Sequence, residues 1–263
     1  MTSLSFERKT VSVLGTHVDA LTFEQALERI EAWVREKAKT YVCIAPVSTL
    51  VTALDNERYQ AVLNNADMVT PDGVPVVWIA HWRGYKDVER VCGPDLMWRI
   101  CTDPCMTHLR HFFLGTTPDT LEQLEGRLKH MNADVNIAGM YAPPFYDKAC
   151  LASEDLVRMV NRAEPDILWV GMGSPKQDFW MQMNREQFDA PVMIGSGAAF
   201  DFLSGVKMRA PKWMQRCGLE WFFRLCAEPR RLWRRYVVGN SRFIFELTRE
   251  FLKEKKTQFL RKG

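Results

Sequence analysis

One aspartate stands directly before a glycine in the stretch TPDGVPVVW, as Asp72 and Gly73. A carboxylate fixed at a strand tip can take a proton from a hydroxyl, provided its surroundings raise its pKa. The glycine behind it lets the backbone turn sharply and lets another molecule approach. The same residues also make an ordinary Pro-Asp-Gly turn. A second stretch, DILWVGMGSPKQDFWMQ, closes an apolar run with Gly171 and Gly173 and continues into Lys176, Gln177 and Asp178. Bare N–H groups at a helix start attract phosphate. Lys176 would add positive charge, and Gln177 could hydrogen-bond an amide or a hydroxyl. Asp178 suits the first turn of a helix, where a carboxylate is favoured. A plain strand-to-helix turn with a polar first turn would read the same way. A third stretch, IGSGAAFDFLSG, places Gly195 and Gly197 around Ser196, with Asp201 following. Two such loops on neighbouring strand tips would line one anion-binding crevice. Arg90, in ERVCGPDL ahead of Gly93 and Asp95, could pair a phosphate or rest in a surface ion pair.

Several chemistries fit poorly. A dinucleotide fingerprint GxGxxG would need glycine where Lys176 stands, and neither loop is a Walker loop. A nicotinamide or flavin oxidoreductase is therefore disfavoured. No Asp-x-Asp occurs, so cations and N–H groups would have to oppose the charge on a leaving diphosphate. No metal and no cofactor are expected. Seven cysteines occur without a CxxC. Cys101 and Cys105 lie near His108, but structural zinc prefers closer ligand pairs. Free thiols suit a reducing compartment.

These residues need a scaffold that brings strand ends together. Apolar runs at 41–46, 67–70, 111–115, 135–139, 167–171 and 192–195 read as strands buried on both faces of a parallel sheet. Amphipathic stretches lie between them. One opens with Thr22 and Gln25 in capping-box spacing, another with Thr117, Pro118 and Asp119. The expected fold is α/β, a Rossmann-like doubly wound and mostly parallel sheet over residues 1–206. VSVLGTHVDA near the start reads as a small hairpin. Residues 207–263 read as a basic appendage of two or three helices, broken near Pro229 and Gly239.

Charge divides the same way. Residues 1–206 hold 19 Lys and Arg against 27 Asp and Glu, whereas residues 207–263 hold 16 against 5. A basic segment of net +11 meets something anionic. Within it Arg224, Arg231 and Arg235 form a stripe beside Arg230 and Arg234. Trp213, Trp221, Phe222, Phe223 and Trp233 lie among these arginines, which favours an anionic membrane surface over nucleic acid. No run of about 18 apolar residues spans a bilayer, and the first ten residues show no apolar leader.

TPDGVPVVW, RVCGPDL, FFLGTTPDTLEQL, PDILWVGMGSPKQDFWMQ, GSGAAFDFLSG and MRAPKWMQRCGLEWFFRLCAEPRRLWRRY follow one another in this order. With these motifs the chain resembles, over nearly its whole length, the WecG/TagA/CpsF family of bacterial glycosyltransferases. The resemblance implies an inverting, metal-independent transfer of a hexose, N-acetylmannosamine-type or glucose, from a UDP-sugar. The implied acceptor is a polyprenyl-diphosphate-linked saccharide at the cytoplasmic face of the membrane, in surface or exopolysaccharide synthesis. It places the family's proposed general base on Asp72, its arginine on Arg90 and its glutamine on Gln177. It also implies that Arg209, Arg224, Arg230, Arg231, Arg234 and Arg235 meet the lipid diphosphate or the membrane. Family members usually carry Thr-x-Asn at the end of the first body strand. This chain has Ile44-Ala45-Pro46 there, then Val47, Ser48 and Thr49, with Ser48 or Thr49 as the expected substitute.

Overall fold

The structure, a computed structural model, describes residues 7–143 and 153–260, the last six of them by backbone alone. A hairpin of β1 (Thr10–Val13) and β2 (Thr16–Asp19) precedes α1 (Phe23–Glu36). The body then runs β3 (Thr40–Ala45), α2 (Val47–Leu54), α3 (Glu57–Asn64), β4 (Met68–Pro71), α4 (Val74–Trp82), α5 (Gly93–Thr102), β5 (Arg110–Gly115) and α6 (Pro118–Met131). It continues through β6 (Asn136–Tyr141), α7 (Glu154–Arg162), β7 (Ile167–Gly171), α8 (Lys176–Asn184), β8 (Val192–Gly195) and α9 (Gly197–Ser204). Six strands pair in the order β4-β3-β8-β7-β5-β6, every pair parallel. The expected α/β fold is the observed one, and all six strands expected from apolar runs are present.

The strands are apolar on both faces because both faces are covered. Along β3, Tyr41, Cys43 and Ala45 join one core and Val42 and Ile44 the other. The first core contains residues of α2, α3, α4 and α8. The second contains residues of α1, α5, α6 and α9. Helix starts follow local chemistry. Thr22 and Gln25 form the reciprocal capping box, and Thr117 caps α6 ahead of Pro118.

Gly205, left-handed at φ 78°, closes α9, and the chain leaves the body. It then forms α10 (Lys212–Arg216), α11 (Glu220–Ala227), α12 (Pro229–Trp233), a π-helical turn over Arg234–Val238, and α13 (Gly239–Leu260). Pro229 starts a helix as expected, but Gly239 does not break one. Its backbone is helical at φ −62°, ψ −47°. Glycine inside a helix costs only about 1 kcal/mol relative to alanine. Tyr236 and Phe243, buried on either side of it, pin the flanking turns. The basic segment lies against the body. Arg242 pairs with Asp55, and Arg83 Nη2 donates to Glu250 and Glu254, both at 2.9 Å.

Candidate active site

In open parallel sheets ligands bind beyond the carboxyl ends of the strands. Here β4, β3, β8 and β7 end side by side, with Ala45 opposite Pro71, Cys43 opposite Gly195 and Val170 opposite Gly195. The residues that follow open into one cleft of about 1240 Å³. Asp72 lines it after β4, and Ser48 and Thr49 after β3. Gly195 and Gly197 line it at β8, and Gly171, Gly173 and Gln177 at β7. The two glycine loops and the carboxylate thus share a single hollow.

The loops are held together by Gln177. Its buried carboxamide Oε1 accepts from the Gly173 amide at 2.9 Å and the Gly197 amide at 3.2 Å, while Nε2 donates to Ser174 Oγ at 3.3 Å. The loops approach so closely that a Cβ on Gly197 would sit 3.0 Å from the Gly173 nitrogen. These two N–H groups are therefore engaged inside the protein instead of facing an anion. Lys176 is exposed and is not among the residues lining the cleft. Asp178 does not serve a solvent-facing first turn. It is fully buried, and Tyr59 Oη donates to its Oδ2 at 2.6 Å. Burial pushes its carboxyl up from the ordinary range.

Asp72 is half-buried at the foot of α4. Burial pushes its pKa up to about 6, against the pull of the Arg90 guanidinium and with a further push from Glu220. That value suits a group that is ionised near neutrality yet able to accept a proton.

Arg90 does line the cleft, but it stands inside an ion-pair network. Nη1 donates to Glu220 Oε2 and Nη2 to Asp95 Oδ2, each at 3.1 Å. Arg209 forks onto Asp95 as well, with Nη2 3.0 Å from Oδ2, and its Nε lies 3.5 Å from Glu220 Oε1. Burial would raise the Asp95 pKa, but the hydrogen bonds from Arg209 and Cys92 outweigh it and hold the carboxyl at about 2. This network joins the body to the basic segment. Arg209 belongs to it and is outside the cleft wall. A Cβ on Gly93 would meet Ser196, 2.0 Å from Oγ and 3.2 Å from Cβ, so a larger residue there would push the serine hydroxyl at the β8 tip aside.

The expected arginine stripe stays together, and the arginines beside it turn away. Arg224, Arg231 and Arg235 line the cleft, whereas Arg230 and Arg234 do not. Arg235 Nη2 donates to Ser48 Oγ at 2.8 Å. Burial, then the neighbouring Arg224 and Arg231, push its pKa down although solvent reaches it. Arg224 lies over the Phe202 ring, 5.2 Å from its centroid. Among the described residues no carboxylate lies within ion-pair distance of Arg224 or Arg235. Thr49 is buried, and its Oγ1 has no hydrogen-bond partner among the described residues.

Sequence reasoning missed Glu220, Trp78 and Trp82, all on the cleft wall. A signal for the tryptophans was present: VPVVWIAHW is apolar on every side, yet it follows the aspartate at the sheet's edge.

Comparison with known proteins agrees with this architecture. The model of the glycosyl transferase WecG/TagA/CpsF family matches residues 11–257. An N-acetylglucosaminyldiphosphoundecaprenol N-acetyl-beta-D-mannosaminyltransferase of Staphylococcus aureus (strain NCTC 8325 / PS 47) is 26% identical over 250 residues, covering 94% of this chain and 96% of that protein. A protein of the same name from Bacillus spizizenii is 32% identical over 185 residues, 70% of each chain. With nearly its entire length matched, the chain belongs to the WecG/TagA/CpsF family of glycosyl transferases.

Proposed function

We propose that the protein moves a hexose from a UDP-sugar onto a hydroxyl of a polyprenyl-diphosphate-linked saccharide, with inversion at the anomeric carbon. The observation that carries this reading is one cleft shared by Asp72, two clamped glycine loops and four arginines. The acceptor oxygen attacks the anomeric carbon as its proton passes to the Asp72 carboxylate. The bond from that carbon to the donor's phosphate oxygen breaks on the opposite face, and UDP departs with the electron pair. Charge developing on the leaving diphosphate is opposed by the starts of α8 and α9 and by Arg90, without a metal ion in the reading. Gln177 keeps the two loops at fixed spacing. Arg224, Arg231 and Arg235 receive the acceptor's diphosphate.

The relatives' names support a lipid-diphosphate acceptor carrying N-acetylglucosamine. At the β3 tip, where the family's Thr-x-Asn is replaced, Ser48 and Thr49 line the cleft, and Ser48 or Thr49 takes its place. N-acetylmannosamine-type donors and glucose are the candidates. The protein works at the inner face of the membrane. Among the described residues no helix is long and apolar enough to cross it, but Trp213, Phe222 and Trp233 are exposed on the basic segment.

The test is a panel of UDP-sugars incubated with a polyprenyl-diphosphate-linked N-acetylglucosamine, with UDP release followed. One donor should yield UDP only when acceptor is present. Failure of the whole panel would remove the reading.

A further inference from the structure

Helix α4 begins two residues after Asp72 and is apolar on all sides. Such a helix is ordinarily buried all round or in contact with lipid. Its inner face is buried through Val76, Ile79 and Ala80, but Trp78 and Trp82, one turn apart on the outer face, are 61% and 57% exposed. Both indoles belong to the wall of the active-site cleft. The facing wall is α13, whose Ile244, Leu247 and Phe251 line the same hollow. The Phe251 ring reaches to 4.0 Å, centroid to centroid, from Trp82.

The groove is continuous with the charged end of the cleft. Asp72 and Gly73 lie at the N-terminal foot of α4, and Arg224, Arg231 and Arg235 come from the basic segment into the same space. β4 is the edge strand of the sheet, so α4 leaves from the side away from the β7 and β5 tips. One hollow therefore holds the clamped glycine loops, arginines over the β3 and β8 tips through Ser48 and Phe202, Asp72 beside them at the β4 tip, and an apolar trough along α4. A molecule with a diphosphate head and a hydrocarbon tail matches that sequence of surfaces.

We infer that the α4–α13 groove binds the isoprenoid chain of a single prenyl diphosphate, with its head on the arginines and its first isoprene units between Trp78, Trp82 and α13. The inference rests on the lipid-linked acceptor proposed above and adds where the lipid lies. From Val74 to Trp82 the helix rises about 12 Å, which sets the length of chain the groove covers. A single chain is favoured over a bilayer surface because the tryptophans stand in a concavity that ends in cations. The opposite side of α13, with Phe245 and Leu252 exposed, lies outside that cleft and is the side open to a bilayer.

The test is calorimetric binding to the full-length protein, with farnesyl diphosphate and inorganic diphosphate as probes and no vesicles present. Farnesyl diphosphate should bind roughly tenfold tighter or better, from burial of its hydrocarbon. In Trp78→Ser/Trp82→Ser the two affinities should converge while that for inorganic diphosphate stays. Leu247→Ser on the facing wall, which lines this cleft and not the opposite side of α13, repeats the test should the tryptophan variant fold poorly. Equal affinities in the unmodified protein, or a gap that survives both variants, would overturn the inference. So would a tryptophan variant that keeps the gap and loses only its binding to anionic phospholipid vesicles, since the indoles would then face the bilayer. Because no sugar is present in these titrations, a failed UDP-sugar panel with the affinity gap intact counts against the transferase reading alone. Successful transfer without the gap counts against the groove alone.

Discussion

As the proposed base, Asp72 would owe its reactivity to burial. An ordinary aspartate would hold its proton too weakly to serve as a base near neutrality, and desolvation in the cleft corrects this to about 6. The sign follows directly. Below pH 6 the carboxyl is protonated and cannot accept the acceptor's proton, so kcat/KM should fall about tenfold per pH unit on the acid side and level off above. A profile flat down to pH 4.5 would show that no group of this kind limits the reaction. In the proposed reaction the arginines act differently, as binding groups. Each charge-assisted contact to a diphosphate is worth about 1.5–3 kcal/mol. Arg231→Ala and Arg235→Ala should each therefore lower kcat/KM for the lipid acceptor by roughly 10- to 100-fold, with the donor's KM little changed. The segment around Asp72 was open in the sequence between a strand-tip carboxylate and an ordinary Pro-Asp-Gly turn, and the family motifs singled it out; the structure puts it on the cleft wall. The run Lys176-Gln177-Asp178 was not legible in the sequence. At a helix start successive residues turn about 100°, so three neighbours face solvent, the cleft and the core.

Gln177 governs the next scale. It lies at the start of α8, and through it that helix fixes the distance between the β7 and β8 loops. The helix is in turn anchored on α3 by the hydrogen bond from Tyr59 to Asp178. Gln177→Ala should lower the melting temperature by a few degrees, because it removes a buried carboxamide that hydrogen-bonds both loops. Hydrogen exchange at Gly173 and Gly197 should speed up, and turnover should drop. Unchanged exchange at both glycines would show that the carboxamide does not clamp them in solution. The elements themselves were readable to a large extent. The six strands announce themselves as short apolar runs because both faces of the sheet are covered. Caps at Thr22 and Thr117 announce helix starts. Gly239 misled because its sequence neighbours do not show that Tyr236 and Phe243 are buried beside it. The clamp could not be read at all, since it joins residues 20 apart through a side chain that points back at the backbone.

Across the whole molecule the asymmetry of charge becomes a closure. The basic segment does not hang from the body. Arg209 and Glu220 lock it to Arg90 and Asp95, Arg242 locks it to Asp55, and Arg83 grips Glu250 and Glu254. Its inner arginines complete the cleft, and its outer rings remain exposed. The full-length protein should pellet with anionic vesicles, and Trp213→Ser/Trp233→Ser should reduce that binding. Rising salt should weaken it too, because the headgroup attraction is screened. Equal pelleting with neutral vesicles at high salt would contradict an electrostatic contribution. What the composition revealed was the existence of a basic segment, not the side of it that faces the sheet. That division depends on which arginines the packing of Leu232 and Tyr236 turns inward.

The most direct measurement is turnover by Asp72→Asn, with UDP release followed at pH 7.5 under the donor and acceptor that serve the unmodified protein, and donor binding measured in parallel. The substitution keeps the shape of the side chain and removes its ability to take a proton. The account predicts a loss of about 10²–10⁴-fold in kcat with donor affinity and melting temperature retained. Turnover within a few-fold of the unmodified enzyme would take the base role away from Asp72.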